Sequence, residues 1–269
     1  MADPVPPRIR YDFHSLEDFL VSTELTVDAQ PEDGWGANFP VKGREIEATI
    51  LFADITRFSG RTLDLSPAET LIFVNWFFAW ISAEALRGGK GIIDKYIEDE
   101  VMVVFSKEFG SEDPFAEAVQ TARWMAQNDV WAFLPHVGIA SGKVIVGYAG
   151  TPLRYNCSVF GAPVALAARC AGKEPSTDDP HYTGPILFPA SEWDERELDE
   201  LIPPDEHGQS WELLAPQEEP LKNIGTVELR AIVRRGGWMP QMRTEEAARE
   251  VLRKIKEYGR YWTPPGVAG

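Results

Sequence analysis

The sequence predicts an α+β fold built on a ferredoxin-like split β-α-β-β-α-β core, with additional C-terminal strands and helices. Three observations lead there. Residues 48–59, ATILFADITRFS, are apolar up to a single acid, Asp54, and then turn polar, as a buried strand does at its end. Residues 66–89, SPAETLIFVNWFFAWISAEALRGG, carry helix start and stop signals around a long apolar run. Between residues 91 and 105, two apolar runs flank an acidic Glu98–Asp99 tip, the pattern of a hairpin.

Taken in order, residues 1–43 form a peripheral N-terminal segment. It opens with Pro4, Pro6 and Pro7, and a short amphipathic helix is expected from His14 to Ser22, with Leu16, Phe19 and Leu20 on one side. Residues 30–43 are rich in Gly, Pro and Asp and read as a loop. Glu47 to Ala53 is the first core strand. Ser66 caps the long helix, Pro67 takes its first position, Glu69 completes a capping box, and Gly88–Gly89 end it. The helix would be about 30 Å long. Leu71, Val74, Phe78, Ile81 and Ala85 make one apolar stripe, and Phe73, Phe77 and Trp80 a second. A helix apolar on two faces is deeply buried or lies at a subunit interface.

Gly91–Ile97 and Glu100–Phe105 form the first hairpin, and a helix follows over Pro114–Asn128. Pro135–Ala140 and Val144–Ala149 read as a second hairpin around Ser141–Gly142–Lys143. Asn156–Phe160 is a further strand, and Pro163 opens a helix to Ala171. After Gly172 the chain is acidic and Pro-rich up to Pro220, with ordered pieces expected at Ile186–Phe188, a helix over Ala190–Leu201, and Trp211–Leu214. Val227–Val233 is a last strand; Thr244–Tyr261 reads as an amphipathic helix carrying Ala247, Val251, Leu252 and Ile255, and a disordered tail WTPPGVAG follows. The domain expected to carry function is 44–235, followed by a C-terminal helix and tail at 236–269.

A chain of 269 residues with 44% hydrophobic content builds a substantial soluble core. The net charge of −16 excludes a general nucleic-acid surface, and it means that a bound polyphosphate needs locally placed cations. Cys157 and Cys170 are too few for a disulfide framework, which fits a reducing cytoplasm. The start MADPVPPRIR has no apolar core, so no secretory leader is expected. The most apolar stretch, Leu71–Leu86, contains Asn75, Ser82 and Glu84 and is too short and polar for a membrane span.

Asp54 and Asp99 lie 45 residues apart, yet in a split β-α-β-β-α-β sheet the end of the first strand lies beside the hairpin between the second and third. The two carboxylates can therefore converge. Mg²⁺ takes a few carboxylates and fills its other positions with water and phosphate oxygens. The turn Ile55–Gly60 offers consecutive N–H groups that can cradle phosphate. Taken alone, the acids read more readily as two surface acids, and the turn as an ordinary loop.

Four segments together carry more. FADITRFS, then GGKGIIDKYIEDEVMVVF, then VGIASGKVIVGYAGTPLRYNCSVFGAPVALAAR, then LKNIGTVEL resemble the successive signature blocks of class III nucleotidyl cyclases, over residues 44–233. The resemblance implies a cyclase catalytic domain acting as a homodimer with active sites at the interface. It implies that Asp54 and Asp99, with the Ile55 carbonyl, hold two divalent cations, Mg²⁺ or Mn²⁺. It places Lys95 and Ser158 at the two base-reading positions and Thr56, Arg57 and Phe58 in the phosphate loop. Arg169 matches an arginine that stabilises the transition state, and Lys222 a lysine that contacts phosphates. One subunit would supply the metal acids and the other the base and transition-state groups. The reaction implied is in-line attack of the ribose 3′-hydroxyl on the α-phosphorus of a nucleoside triphosphate, releasing pyrophosphate.

The chain departs from this pattern on the base and ribose side. Ala165 stands where most active members carry a ribose-holding asparagine, on the same helix face as Arg169. Glu98 replaces a glycine before the second metal acid, where positive φ is wanted; it either reshapes the tip or adds a third acid. Ala162–Pro163 replace a common Asp-Thr pair. A hydroxyl both donates and accepts, so Lys95 with Ser158 suits adenine, the O4 of uracil or the N3 and N4 edge of cytosine. The reading leans to a pyrimidine, as in bacterial antiviral enzymes that make cyclic UMP or cyclic CMP. The alternatives are an adenylate cyclase, a non-catalytic nucleotide-sensing module and, more weakly, a phosphohydrolase using the same acids. His14, His136, His181 and His207 show no ligand spacing and read as structural; Trp76, Trp80, Trp124 and Trp131 read as core or interface, and the cysteines as inert.

Overall fold

A computed structural model describes residues 15–29, 41–88, 90–127, 129, 133–175, 182–194, 196–203, 210–235, 250 and 253. The chain runs through helix α1 (Leu16–Ser22), strands β1 (Val27–Ala29) and β2 (Val41–Ile55), helices α2 (Phe58–Thr62) and α3 (Pro67–Ala85), and strands β3 (Ile92–Ile97) and β4 (Glu100–Phe105). Helix α4 (Pro114–Gln127), strands β5 (Pro135–Thr151) and β6 (Arg154–Phe160), and helix α5 (Ala162–Ala171) follow. The remainder is β7 (Tyr182–Pro189), α6 (Leu198–Leu201), β8 (Ser210–Leu213), β9 (Gln217–Leu221) and β10 (Gly225–Arg235). The sheet order is β3-β4-β2-β5-β7-β10-β8. Its first four strands are antiparallel in the order of the split core, with the two middle places taken by the first and third strands of the motif.

Alternation along β2 sorts its side chains between two cores. Leu51, Ala53 and Ile55 join Phe73, Phe77 and Ile81 of α3, Ala118 and Ala122 of α4, and Phe133. Ile46, Ala48, Ile50 and Phe52 join Leu16, Phe19 and Leu20 of α1 and Ala167 and Ala171 of α5 on the other face. Helix α1 is therefore part of the core rather than peripheral, with Phe19 wholly buried. In α3 the capping box of Ser66 and Glu69 is formed. Its buried stripe is Phe73, Phe77, Ile81 and Ala85, while Leu71 is 65% exposed, so the inward face is rotated from the first stripe the sequence suggests. No helix among the described residues is long and apolar enough to cross a membrane.

The hairpin expected over Pro135–Ala149 is instead one strand of 17 residues. It pairs with β2 without a break from Pro135↔Ile55 to Gly147↔Gly43. Gly142, at φ 145°, stays paired with Ala48 within the strand where its sequence neighbours suggest a turn. The helix expected over Ala190–Leu201 is a single 3₁₀ turn at Ala190–Glu192 and the four-residue α6. Between them Trp193 is extended and stacks on Phe188, ring centroids 5.8 Å apart. Strand β9 was not expected; it pairs with β10 alone, off the main strand path, where Pro220 is tolerated. The helix expected over 244–261 and the tail lie outside the described residues, apart from Glu250 and Arg253.

The long ladder also coils. Ser158 pairs with Gly147, level with Gly43, whereas Asp94 lies beside Val103, level with Leu51. On a flat sheet these levels would differ by about 26 Å along the strands and about 19 Å across them. The Ser158 hydroxyl nevertheless donates to Asp94 over 2.7 Å. Curling of β2 and β5 around the α1–α5 core brings β6 round onto β3.

Helix α5 reaches this core only because Gly138 has no side chain: a Cβ there would stand 2.1 Å from the Ala167 carbonyl oxygen and 2.2 Å from the Ala171 nitrogen. Gly138→Ala is accordingly expected to lower stability by about 1–3 kcal/mol, or to displace α5, read as a lower midpoint in urea unfolding.

Candidate active site

The apolar run of β2 ends at the sheet edge, so the polar residue next in line, Asp54, is delivered half-buried at the rim. Strand β4 places Glu100 directly opposite it, and β5 places His136 opposite on the other side. Directly opposed residues share a face, so these three side chains crowd together. The β3–β4 turn adds Asp99, whose carboxyl lies within hydrogen-bond reach of Asp54. The convergence expected from the split topology is therefore present.

Electrostatics mark this place. Burial, the hydrogen bond and charge of Asp99, and the charge of Glu100 push Asp54 up to about 8, against a small lowering from the Ile55 amide. Glu100 is also raised, first by burial and then by Asp99 and Glu98, while Arg169 pulls it down. His136 is lowered, mainly by burial and also by Arg57, with Glu174 opposing. The third acid beside the pair is thus Glu100, not Glu98. Glu98 is exposed at the tip and takes φ 53°, the left-handed conformation a glycine would adopt freely, at a cost of about 1 kcal/mol. Glu100 and His136 were missed because cross-strand partners depend on register, which one strand's sequence does not carry.

The segment after Asp54 is held from behind. Ile55 is buried in the core, and the Thr56 hydroxyl donates to the Leu134 carbonyl. Asp129 in turn accepts from the amides of Phe133 (3.0 Å) and Leu134 (2.6 Å). Arg57 stands exposed before α2 in the left-handed region at φ 56°, and Phe58 stacks on Phe73 with centroids 6.3 Å apart.

Lys95 and Ser158 are brought together, with a residue between them that was not singled out. Asp94 accepts from Ser158 and pairs with Lys95 at 3.3 Å. Ser158 is fully buried and so offers no open surface to a ligand in this conformation. Arg169 and Ala165 share the exposed face of α5. Lys222 is exposed in the β9–β10 turn. Because β10 runs antiparallel to β7 and starts beyond Leu229↔Pro189, that turn lies at the opposite end of the sheet from Asp54.

Solved structures with this architecture include the adenylyl cyclase CyaB from P. aeruginosa, with a TM-score of 0.53 at 21% identity over 71% of this chain and 95% of that one. The guanylyl cyclase Cya2 superposes with a TM-score of 0.53 at 21% identity, over 74% and 97%. The chain has the class III nucleotidyl cyclase catalytic fold. The guanylate cyclase domain of RhGC from Catenaria anguillulae also shares this cyclase fold, with a TM-score of 0.52 at 20% identity over 72% and 100%. No protein-family model matches the chain. An uncharacterized protein of Mycobacterium tuberculosis is 30% identical over 131 residues, 47% of this chain and 24% of that protein. A second from the same organism is 29% identical over 130 residues, again 47% and 24%. The chain spans about a quarter of the length of these curated relatives.

The acid pair at the rim of the cyclase fold suits a hard divalent cation. Two carboxylates forced together are relieved by positive charge, and their oxygens are the donors Mg²⁺ and Mn²⁺ take. Among the described residues no group of three or more acids, histidines or cysteines is placed to hold a metal ion, so a cation here would rest on the acid pair. An acid pair leaves coordination positions for water and phosphate.

Folded Asp54 keeps its proton to about pH 8, whereas the unfolded side chain releases it near 3.8. The metal-free protein is therefore expected to lose stability as pH rises across that window. In EDTA, Asp54→Asn should melt several degrees above wild type at pH 8 and by a smaller margin at pH 5. Mn²⁺ should raise the melting temperature of wild type at pH 8 and leave the variant where it was.

Proposed function

We propose that this chain is a nucleotidyl cyclase, converting a nucleoside triphosphate to a 3′,5′-cyclic nucleotide and pyrophosphate. The observation that carries the reading is the meeting of Asp54 and Asp99 at the end of the central strand of a cyclase fold. Asp54 and Asp99, with the Ile55 carbonyl, hold the divalent cations. Bound there, the cations would supply Lewis-acid charge for the attacking hydroxyl and the leaving pyrophosphate. Thr56, Arg57 and Phe58 shape the loop that receives the phosphates, on the buttress provided by Leu134. Arg169 offers a planar fork to phosphoryl oxygens as charge builds on them, and Lys222 adds a second cation.

The position of Lys222 favours a homodimer with shared sites. At the far end of the sheet, it is on the order of 30 Å along the strands from its own Asp54. It meets a triphosphate at an Asp54–Asp99 pair only when that pair belongs to a second copy. The favoured base is a pyrimidine, giving cyclic UMP or cyclic CMP, with antiviral signalling as the role that goes with that branch; ATP is the alternative substrate. Ala165, on the exposed face beside Arg169, is the one observation that favours a non-catalytic, nucleotide-sensing module.

Incubation with each of ATP, CTP, UTP and GTP in Mn²⁺ should release pyrophosphate and a cyclic product from at least one. Asp54→Ala should abolish nearly all of it, and Arg169→Ala should lower kcat about 10²–10³-fold. No product from any of the four nucleotides, or full activity in Asp54→Ala, refutes the reading. Mixing inactive Asp54→Ala with inactive Lys222→Ala should restore up to about a quarter of wild-type activity, because each mixed dimer keeps one intact site. No recovery in confirmed mixed dimers would show that the site lies within one chain.

A further inference from the structure

Strand β3 is not regular. Its register against β4 shifts between Ile93 and Lys95, making Asp94 the extra residue of a bulge. Neighbours on a regular strand point to opposite faces, and a bulge re-aims one of them. Here it lets Asp94 and Lys95 meet, with 3.3 Å between Lys95 Nζ and Asp94 Oδ2. The same Oδ2 accepts from the Ser158 hydroxyl at 2.7 Å. The Asp94 side chain is 1% exposed and that of Lys95 29%, while Ser158 is wholly buried. Asp94 Oδ1 has no hydrogen-bond partner among the described residues.

A buried carboxylate is costly unless paired, so this arrangement needs a reason. A serine hydroxyl has one hydrogen, and Ser158 gives it to Asp94. Lysine carries its ammonium on a flexible four-carbon stem and can only donate. Such a donor distinguishes bases only by where each presents an acceptor: N3 of cytosine, O4 of uracil, N1 of adenine. These positions differ by ångströms, and an untethered lysine would follow any of them.

We propose that Asp94 is a specificity-determining positioning residue: clamped by Ser158 across the closed edge of the curled sheet, it fixes the Lys95 ammonium where one base acceptor can meet it. The proposal rests on the nucleotidyl cyclase reading and deepens it. Ser158 acts through Asp94, and Lys95 is the group that touches the base.

The test compares wild type with Asp94→Asn, Ser158→Ala and the double variant. Melting curves identify variants that fold; Ser158→Ala carries the test if Asp94→Asn does not. Steady-state kinetics with ATP, CTP, UTP and GTP give a preference ratio, best nucleotide over next best. Both single variants are expected to cut that ratio about tenfold, the effect of losing a charge-assisted hydrogen bond. The loss on the preferred nucleotide should fall mainly in KM, and the double variant should be no worse than either single, since both break one relay. An equal proportional loss on all four nucleotides, or an unchanged ratio, overturns the proposal.

Calorimetric titration of the same nucleotides with Ca²⁺ separates the two failures. If wild type makes no product, the enzyme reading fails and the binding preference alone judges the clamp. A preference lost in Asp94→Asn sustains it; a preference retained, or none in wild type, overturns it.

Discussion

The antiparallel ladder between β2 and β5 is the constraint on which the rest of the molecule depends. It runs unbroken from Gly43↔Gly147 to Ile55↔Pro135. One end delivers Asp54 to the rim, between Glu100 and His136. The other end carries the paired glycines Gly43 and Gly147, where a Cβ on Gly147 would stand 2.8 Å from the Lys42 carbonyl oxygen. Along its length Gly138 admits α5, and with α5 comes Arg169. Because the ladder is long it accumulates twist, and its coiling closes β6 against β3. The acid pair and the Asp94–Ser158 contact are thus two consequences of one pairing.

The site gathers acids in a chain of net charge −16. Asp54, Asp99 and Glu100 are gathered although like charges oppose it, and burial alone already raises Asp54 and Glu100. The nearest positive influences are indirect: Arg169 acts on Glu100, and Arg57 on His136. Core packing holds the acids where they are, since Ala53 and Ile55 are anchored among Phe73, Phe77 and Phe133. Under the proposed reading, a divalent cation would take the place of the proton that Asp54 holds against Asp99.

Much of this was legible in the chain because it is local or follows from element order. The capping box of α3, the Glu98–Asp99 tip and the approach of Asp54 to Asp99 all follow from short-range signals plus one topology. Glu98 does neither of the two things expected of it: it keeps the left-handed conformation a glycine would take there, and the third acid is Glu100. What escaped was non-local. Ser141–Gly142–Lys143 has the composition of a turn, yet pairing with a 15-residue partner holds it extended. Glu100 and His136 became site residues through register. The register shift at Asp94 has no mark in the sequence of the strand. The rotation of α3, which leaves Leu71 exposed, was set by packing against Phe133 and β4 rather than by its own two-sided apolar pattern.

The departures at Ala165 and Glu98 and the hydroxyl at Ser158 differ in what the geometry makes of them. Glu98 costs conformational energy at a turn that still delivers Asp99. The Ser158 hydroxyl is committed to Asp94, a carboxylate supplied by β3. Ala165, exposed one helical turn from Arg169, brings no polar group to that face. On the proposed reading, the polar groups around Lys95 are rearranged more than depleted. A chain that had merely lost activity would have no reason to keep Asp94 buried beside Lys95, with one oxygen unsatisfied, since an apolar residue there would be cheaper.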